Sequence, residues 1–156
     1  MAAMHWIAIS GATLAGSSTH LGVLINQDET IAAVLGMKTW AVVGLGNNPE
    51  RSAFGVAKLL QDKGHEIIPV YPRAEEVHGK KGYKSLADIP VPVDVVDCFV
   101  NSSLVGKIVD EAIAIGAKAV WLQLDVIDEI AIARAQAAGL LTVMDRCPAI
   151  EYRKRS

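Results

Sequence analysis

The residues most suited to chemistry lie in a short glycine loop, Gly44-Leu45-Gly46, between a hydrophobic run and a polar segment headed by Asn48 and Pro49. A glycine turn between a strand and a helix commonly binds a phosphate group, because the amides at the start of the helix are free to donate. The dinucleotide fingerprint G-x-G-x-x-G is incomplete, since Pro49 occupies the third glycine position. The loop therefore predicts a phosphate site but does not identify the nucleotide.

The end of the next hydrophobic run narrows the choice of nucleotide. A protein that binds plain NAD carries an acidic residue there for the ribose hydroxyls, whereas this run ends in Val70-Tyr71-Pro72-Arg73. An arginine favours a ribose that carries its own phosphate. NADP, with a 2′-phosphate, and coenzyme A, with a 3′-phosphate, both satisfy this condition.

The helix predicted after the loop strengthens the hypothesis of an anion site. Proline is typical of a first helical position, so we expect the amides of Glu50, Arg51 and Ser52 to be free and to point at the loop. The Arg51 guanidinium and the Ser52 hydroxyl are further donors for a phosphate. An ordinary tight turn with a solvated arginine is the alternative interpretation of the same residues.

Groups for catalysis are scarce in the sequence. Asp94 and Asp97 stand too early in a predicted strand to reach its carboxyl end, and no His/Cys/Asp spacing suggests a metal site. Cys147 is the candidate nucleophile, because Arg146 beside it favours the thiolate. A mixed disulfide with a ligand thiol and a simple packing role both fit Cys147. The histidines all fall away from predicted strand ends, at His5, His20, His65 and His78.

The elements that must position these residues alternate regularly from residue 28 onward. Hydrophobic runs predict buried parallel strands at 39–44, 66–70, 93–100, 119–124 and 140–144, and amphipathic segments predict helices between them. This pattern predicts an α/β fold, a doubly wound, Rossmann-type, five-stranded parallel sheet with helices on both faces and the strand order 3-2-1-4-5. Ligands of such sheets lie beyond the carboxyl ends of the strands, where the candidate residues fall.

Composition, charge and length set broad expectations for the partners, the location and the domain organisation of the protein. The net charge of −2 gives no general attraction to nucleic acid or to an anionic membrane, although the tail EYRKRS is locally basic. Two cysteines are too few for a disulfide framework, so we expect a reducing, cytoplasmic location. A chain of 156 residues suits one domain. We assign it to residues 27–156, after an appendage of unknown role at 1–26 whose apolar stretch is too interrupted to span a bilayer.

Four stretches of the chain together indicate a family: VVGLGNNPERSAFGVAKLLQDKGHEIIPVYP, VDVVDCFVNSS, AIAIGAKAVWLQLDV and VMDRCPAIEYRK. In these stretches, over about residues 28 to 155, the chain resembles the stand-alone CoA-binding domain proteins. Those are single Rossmann-type domains akin to the CoA-binding part of the succinyl-CoA synthetase alpha subunit. The synthetases' phosphorylated histidine lies in a domain that this chain does not share.

The resemblance implies that coenzyme A, free or acylated, lies across the strand ends. Its pyrophosphate would meet the glycine loop and the helix start, which include Gly44, Leu45, Gly46, Asn48, Arg51 and Ser52. Its 3′-phosphate would lie near Tyr71 and Arg73, and its adenine near Phe99, Val100 and Asn101. Its pantetheine arm would approach Gln123 and Cys147.

The chain departs from the family pattern at several of these positions. Gly55 and Val100 stand where many members carry arginine, Tyr71 where asparagine is frequent, and Asp125 where glycine is common. Each lost or reversed charge contact is expected to weaken phosphate binding by about 1 to 3 kcal/mol.

Three functions stay open at this point. The first is non-catalytic binding of coenzyme A or an acyl-CoA. The second is an NADP-dependent reductase, whose proton donor would be the Tyr83-Lys84 pair, although the sequence places that pair in a connection away from the strand ends. The third is a module with a degenerate nucleotide pocket that binds a protein partner.

Overall fold

The computed structural model describes residues 18–20 and 23–156, with side chains from residue 24 onward, so most of the predicted appendage 1–26 lies outside the described residues. Its described part forms a short antiparallel pair, β1 (Ser18–His20) and β2 (Val23–Ile25). Ile25 is buried in the core. The Asn26 side chain donates to the Met144 carbonyl at 2.7 Å and accepts from its amide at 2.8 Å. The end of the appendage therefore packs on the sheet.

Five parallel strands form the central sheet, as the hydrophobic runs predict. They are β3 (Thr39–Val43), β4 (Glu66–Val70), β5 (Val95–Cys98), β6 (Ala119–Leu122) and β7 (Leu141–Val143). The helices are α1 (Asp28–Leu35), α2 (Ser52–Asp62), α3 (Ser102–Ala114), α4 (Glu129–Ala137) and α5 (Pro148–Lys154). A single 3₁₀ turn, Leu86–Asp88, interrupts the connection from β4 to β5.

The two faces of the sheet are buried by different helices. On one face, α1, α2 and α5 cover Trp40, Trp121 and their neighbours, and α2 contributes a buried stripe of Ala53, Val56, Ala57 and Leu60. On the other face, α3 and α4 cover a second cluster that includes Val96, Val120 and Leu122. The doubly wound, Rossmann-type α/β fold is therefore confirmed.

The predicted strand order is wrong, and Pro69 gives the physical reason. The observed order is β4-β3-β5-β6-β7, so β5 pairs with β3 instead of extending the sheet beyond β4. Pro69 lies within β4 and has no amide hydrogen to donate, so β4 is suited to an edge and not to the interior position that the predicted order gave it. The chain turns back after β4, and the topological switch point falls between β3 and β5.

A hydrogen-bonded cluster at the amino end of the sheet attaches α5 to the core. His65 is buried, with Nδ1 2.7 Å from the Met37 carbonyl and Nε2 2.5 Å from the Tyr152 hydroxyl. A carbonyl only accepts, so Nδ1 carries the hydrogen and Nε2 accepts from Tyr152. Burial lowers the pKa of His65 from its ordinary value of 6.5, which favours this neutral ring.

We expect the free energy of unfolding to fall as pH is lowered through 6.5, because His65 then binds a proton in the unfolded chain but not in the folded protein. The contribution of His65 is complete above that pH and decreases below it. Urea denaturation from about pH 7.5 to about pH 5.5 measures the slope. His65→Gln loses about 1 to 2 kcal/mol at the upper pH and has a shallower slope. Parallel slopes for the two proteins would contradict this assignment.

Candidate functional site

A cavity of about 760 Å³ opens at the carboxyl ends of β3, β5 and β6. The first turn of α2 borders it on one side, and the first three turns of α3 border it on the other. It therefore lies at the switch point between β3 and β5, where doubly wound sheets bind their ligands. Its volume is in the range of small-molecule and cofactor sites.

Most of the predicted site residues meet in this cavity. The glycine loop, the helix start, the ends of β4, β5 and β6, and the segment after β7 all contribute. The predicted residues that line it are Gly44, Arg51, Ser52, Tyr71, Phe99, Val100, Asn101, Gln123 and Cys147.

The other predicted site residues do not line the cavity. Leu45 is fully buried in the core, and Gly46 packs against the Tyr71 ring. The Asn48 side chain accepts a hydrogen bond from the Glu50 amide at 3.0 Å. Arg73 is exposed, and its Nε lies 3.6 Å from a carboxylate oxygen of Glu75. These four residues shape or flank the loop, and the predicted pair of guanidinium groups is represented in the cavity by Arg51 alone.

Glu75 explains why Arg73 stays outside. One oxygen of its carboxylate accepts from the Asn47 amide at 2.7 Å, and the other faces the Arg73 guanidinium. The acid therefore holds the glycine loop and neutralises the nearby cation at the same time. The sequence shows Glu75 two residues after Arg73, but not that the carboxylate folds back to the loop.

The start of α2 lies three residues later than predicted. Asn48 and Pro49 form a turn, in which the Arg51 amide donates to the Asn48 carbonyl at 3.1 Å. The prediction of free amides at Glu50 and Arg51 is therefore wrong, because Asn48 captures both through its side chain and backbone. The helix begins at Ser52, and the first amides without an acceptor inside the helix are those of Ser52 and Ala53, which both line the cavity.

Two further cations, which are not among the predicted binding residues, also line the cavity: Lys84 and Lys107. Lys84 was predicted to lie away from the site, and this is wrong, because the Tyr71 amide donates to the Tyr83 carbonyl at 3.0 Å and draws the connection alongside the end of β4. Tyr83 itself packs against the core. Helical spacing from Leu104 indicates Lys107, but the irregular connection gives no comparable signal for Lys84.

The electrostatics of the cavity are positive within an apolar wall. Arg51, Lys84 and Lys107 have no ion-pair partner in the part of the chain that the structure describes. The remaining charged residue of the lining is Glu111, and much of the wall is aliphatic, with Val56, Val70, Leu86, Leu104, Ile108, Leu124 and Val126. An anion with an apolar portion suits this combination.

Asp125 and Gly55, two of the departures from the family pattern, lie outside the cavity lining. Asp125 is not the cap of α4, because Asp128 holds that position and its side chain accepts from the Ala131 amide at 2.9 Å. Asp125 instead adopts a φ of +68°, and its amide donates to the Asp145 carboxylate at 2.7 Å. Gly55 is on the exposed side of α2.

The thiols and buried acid near the cavity differ in their surroundings. Cys98 is fully buried, and burial raises its pKa. Cys147 is half-buried at the amino end of α5 and lines the cavity. Arg146 directs its Nε toward buried Glu151, at 3.9 Å. Asp97 is fully buried, and desolvation raises its pKa to about 8 against a hydrogen bond from Gln123.

The basic tail is largely neutralised within the fold. Glu151 is almost fully buried and pairs with Lys154 at 3.3 Å and with Arg155 at 2.8 Å. Arg155 also pairs with Asp28 at the start of α1. Among residues 18–20 and 23–156, no group of three or more His, Cys, Asp or Glu side chains could hold a metal ion. Over the same residues, no helix has the length and apolar character needed to cross a membrane.

Comparison with known proteins gives several matches. The family described as CoA binding domain matches residues 38–153. The uncharacterized protein YneT of Bacillus subtilis is 36% identical over 110 residues, which are 70% of this chain and 82% of that protein. A hypothetical protein from Pyrococcus horikoshii, of known structure, is 41% identical, with a TM-score of 0.78 over 83% of this chain and 92% of that chain.

A further match is part of a larger enzyme. The alpha subunit of an ADP-forming acetate–CoA ligase II from Pyrococcus furiosus is 37% identical over 81 residues. These residues are 51% of this chain but only 18% of that subunit. The likeness therefore covers one segment of the ligase subunit.

Gly44→Ala is expected to destabilise the protein by more than about 2 kcal/mol. Gly44 has a φ of +100°, and a Cβ there would lie 2.3 Å from the Phe99 carbonyl oxygen. Gly64→Ala is the matched control, because Gly64 has a φ of +98° but no atom within 4 Å of the added Cβ. It carries the conformational cost alone, about 1 to 2 kcal/mol. Urea denaturation compares them, and equal losses would contradict a steric constraint at Gly44.

Proposed function

Because the chain belongs to the CoA-binding domain family, as its sequence motifs predict, we propose that it binds coenzyme A or an acyl-CoA in the cavity between β3 and β5. The proposed role is binding without catalysis by this chain. The observation that carries the proposal is the set of unpaired cations, Arg51, Lys84 and Lys107, around an apolar cavity at the switch point. Coenzyme A combines several phosphate charges with a long, weakly polar arm.

We assign the pyrophosphate to the start of α2. The amides of Ser52 and Ala53 have no acceptor inside the helix, and the helix dipole favours an anion there. The Arg51 guanidinium and the Ser52 hydroxyl stand beside these amides. Gly44 precedes this helix start at the end of β3, where an added Cβ would lie 2.3 Å from the Phe99 carbonyl oxygen.

We assign the 3′-phosphate to Lys84 in place of Arg73. Lys84 follows Tyr83, whose carbonyl accepts from the Tyr71 amide, so it lies beside Tyr71 and Pro72 in the lining. Arg73 would have to leave Glu75 before it could contact a ligand. In this assignment a cation near the end of β4 still contacts the 3′-phosphate, but that cation is Lys84 and not Arg73.

The lining side chains support binding better than catalysis. Among the described residues that line the cavity there is one carboxylate, Glu111, and no histidine. The proton donor predicted for a reductase was the Tyr83-Lys84 pair, and these two side chains are separated, because Tyr83 packs against the core while Lys84 lines the cavity. NADP therefore serves as the competing ligand in the test.

Calorimetric titration with coenzyme A and with dephospho-CoA tests the assignment. We expect coenzyme A to bind at least about tenfold more tightly, since one charge-assisted contact contributes about 1.5 to 3 kcal/mol. Lys84→Gln is expected to remove most of this preference. NADPH, titrated in parallel, is expected to bind more weakly than coenzyme A.

Two variants control for general charge effects in this experiment. Lys81 lies in the same connection with its ammonium 5.3 Å from the Tyr83 ring centre, so Lys81→Gln removes the same charge outside the lining. Arg73→Gln removes the guanidinium that pairs with Glu75. Both are expected to keep the preference for coenzyme A. Equal affinity of the wild-type protein for coenzyme A and dephospho-CoA would refute the 3′-phosphate site, and no heat with either would refute the ligand.

A further inference from the structure

A buried acid stands directly behind the cavity. Asp97, in β5, is fully buried, and its Oδ1 accepts a hydrogen bond from Gln123 Nε2 at 2.6 Å. Its Oδ2 is also buried and has no hydrogen-bond partner among the described residues. A carboxylate with one unpartnered oxygen is costly inside a protein, which agrees with the raised pKa of about 8. At neutral pH Asp97 is therefore mostly the neutral acid.

Gln123 connects this acid to the cavity. It follows β6 directly, is 5% exposed and lines the cavity. One end of its carboxamide is engaged with Asp97, while Oε1 has no hydrogen-bond partner in the described part of the chain. The carboxamide nitrogen therefore contacts Asp97, and the carboxamide oxygen is available to a ligand.

The two protonation states of Asp97 favour opposite ends of the carboxamide. A carboxylate only accepts, so it must receive Nε2–H, and Oε1 is then the end that faces the cavity. The neutral acid carries an O–H that needs an acceptor. If the carboxamide turns by half a rotation, Oε1 accepts this O–H and the NH₂ group faces the cavity.

The unpartnered oxygen decides which arrangement the neutral acid prefers. Without the rotation, Asp97 accepts from Nε2 through its carbonyl oxygen, and its O–H is left buried without an acceptor. With the rotation, only a carbonyl oxygen lacks a partner, and unpaired carbonyls are tolerated better than unpaired donors. Loss of the proton restores the arrangement in which Nε2 donates to Asp97.

Building on the proposed function, we propose that Asp97 is a positioning residue whose proton turns Gln123 so that its NH₂ group faces the cavity and selects a ligand carbonyl. Coenzyme A and its thioesters offer such oxygens in the pantetheine amides and, when acylated, in the thioester. When Asp97 loses its proton to solvent, Gln123 presents Oε1 instead. Two acceptors then face each other, and the carbonyl is rejected.

The other ionisable groups around Asp97 line the cavity, lie at the amino end of the sheet, are paired or exposed on the helices, or lie on the opposite face. Arg51 and Cys147 line the cavity, whereas His65 and Tyr152 lie at the amino end of the sheet. Glu151 of α5 is paired with Lys154 and Arg155, and Lys58 of α2 pairs with Asp62 at 3.0 Å. Asp28 and Glu29 of α1 are exposed, and Cys98 follows Asp97 on the opposite face of β5. The test therefore compares wild type with an Asp97 variant at each pH.

Titration with acetyl-CoA and with S-ethyl-CoA, between pH 7 and pH 9, measures the coupling. Neither ligand has a free thiol that titrates. With a pKa of about 8 for Asp97, the affinity of the wild-type protein is expected to fall about tenfold over this interval. A fall for both ligands assigns the contact to a pantetheine amide carbonyl. A fall for acetyl-CoA alone assigns it to the thioester carbonyl. Both results support the proposal.

Asp97→Asn keeps the shape and cannot ionise, so its affinity is expected to lose the pH dependence. Asp94→Asn is the matched control, because Asp94 precedes β5 at its opposite end and pairs with Lys118 at 3.4 Å. It is expected to keep the wild-type pH dependence. Gln123→Met offers a second route if Asp97→Asn does not fold, and it is also expected to lose the dependence. Unchanged or rising wild-type affinity, or an Asp97→Asn profile parallel to wild type, would overturn the proposal.

A measurement without ligand separates this proposal from the proposed function. Carbon-13 NMR follows the Asp97 carboxyl carbon, and nitrogen-15 NMR follows the Gln123 side-chain amide, which is assigned by its absence in Gln123→Met. The two signals are expected to titrate together near pH 8 in the free protein. If neither CoA thioester nor thioether binds while these signals move together, the ligand assignment fails and the coupling stands. If the Gln123 amide does not follow Asp97, the coupling is refuted whatever binds.

Discussion

The pairing of β5 with β3 is the constraint on which the binding cavity depends. It brings Gly44 against the Phe99 carbonyl and leaves no room for a side chain there. The connection after β3 leads to one face of the sheet, and the connection after β5 leads to the other. The carboxyl ends of these two strands therefore border an open space, which the first turns of α2 and α3 enclose. Pro69 contributes to this arrangement although it lies outside the cavity lining. It suits β4 to the edge of the sheet, so that β5 occupies the other side of β3.

The cations around this cavity differ in whether a carboxylate of the protein already pairs with them. Arg73 looks suited to a phosphate in the sequence, yet its charge is directed to Glu75, which also holds the Asn47 amide. Lys84 and Lys107 look ordinary in the sequence, yet they line the cavity without an acidic partner among the described residues. The positive character of the site thus depends on which cations lack a carboxylate, and not on which cations follow a strand.

Much of the fold follows from patterns that are local in the chain. Strand positions follow from runs of β-branched and aliphatic residues, and the buried stripe of α2 follows from helical spacing. The strand order was missed although Pro69 carried the signal, because hydrophobicity alone does not separate an edge strand from a central one. The start of α2 was misplaced because Asn48 captures amides locally, which spacing does not show.

The candidate site was predictable where it follows strand ends and unpredictable where it depends on side-chain direction. Residues after β3, β4, β5 and β6 meet because parallel strands end together. The irregular connection that carries Lys84, and the carboxylate of Glu75, take their positions from long-range contacts that have no periodic signature. Asp97 was expected to be remote from any ligand, yet it reaches the cavity through the Gln123 side chain.

The contacts at the two margins of the sheet have a consequence for self-association. In a parallel strand, alternate residues direct their backbone groups to opposite sides, so Met144 turns its amide and carbonyl away from β6, toward the open margin, where the Asn26 carboxamide occupies both. At the other margin, Pro69 offers no donor and its carbonyl accepts from the Tyr83 amide at 2.9 Å. Each border is thereby partly closed to the recruitment of a foreign strand, which is a common route to aggregation of parallel sheets.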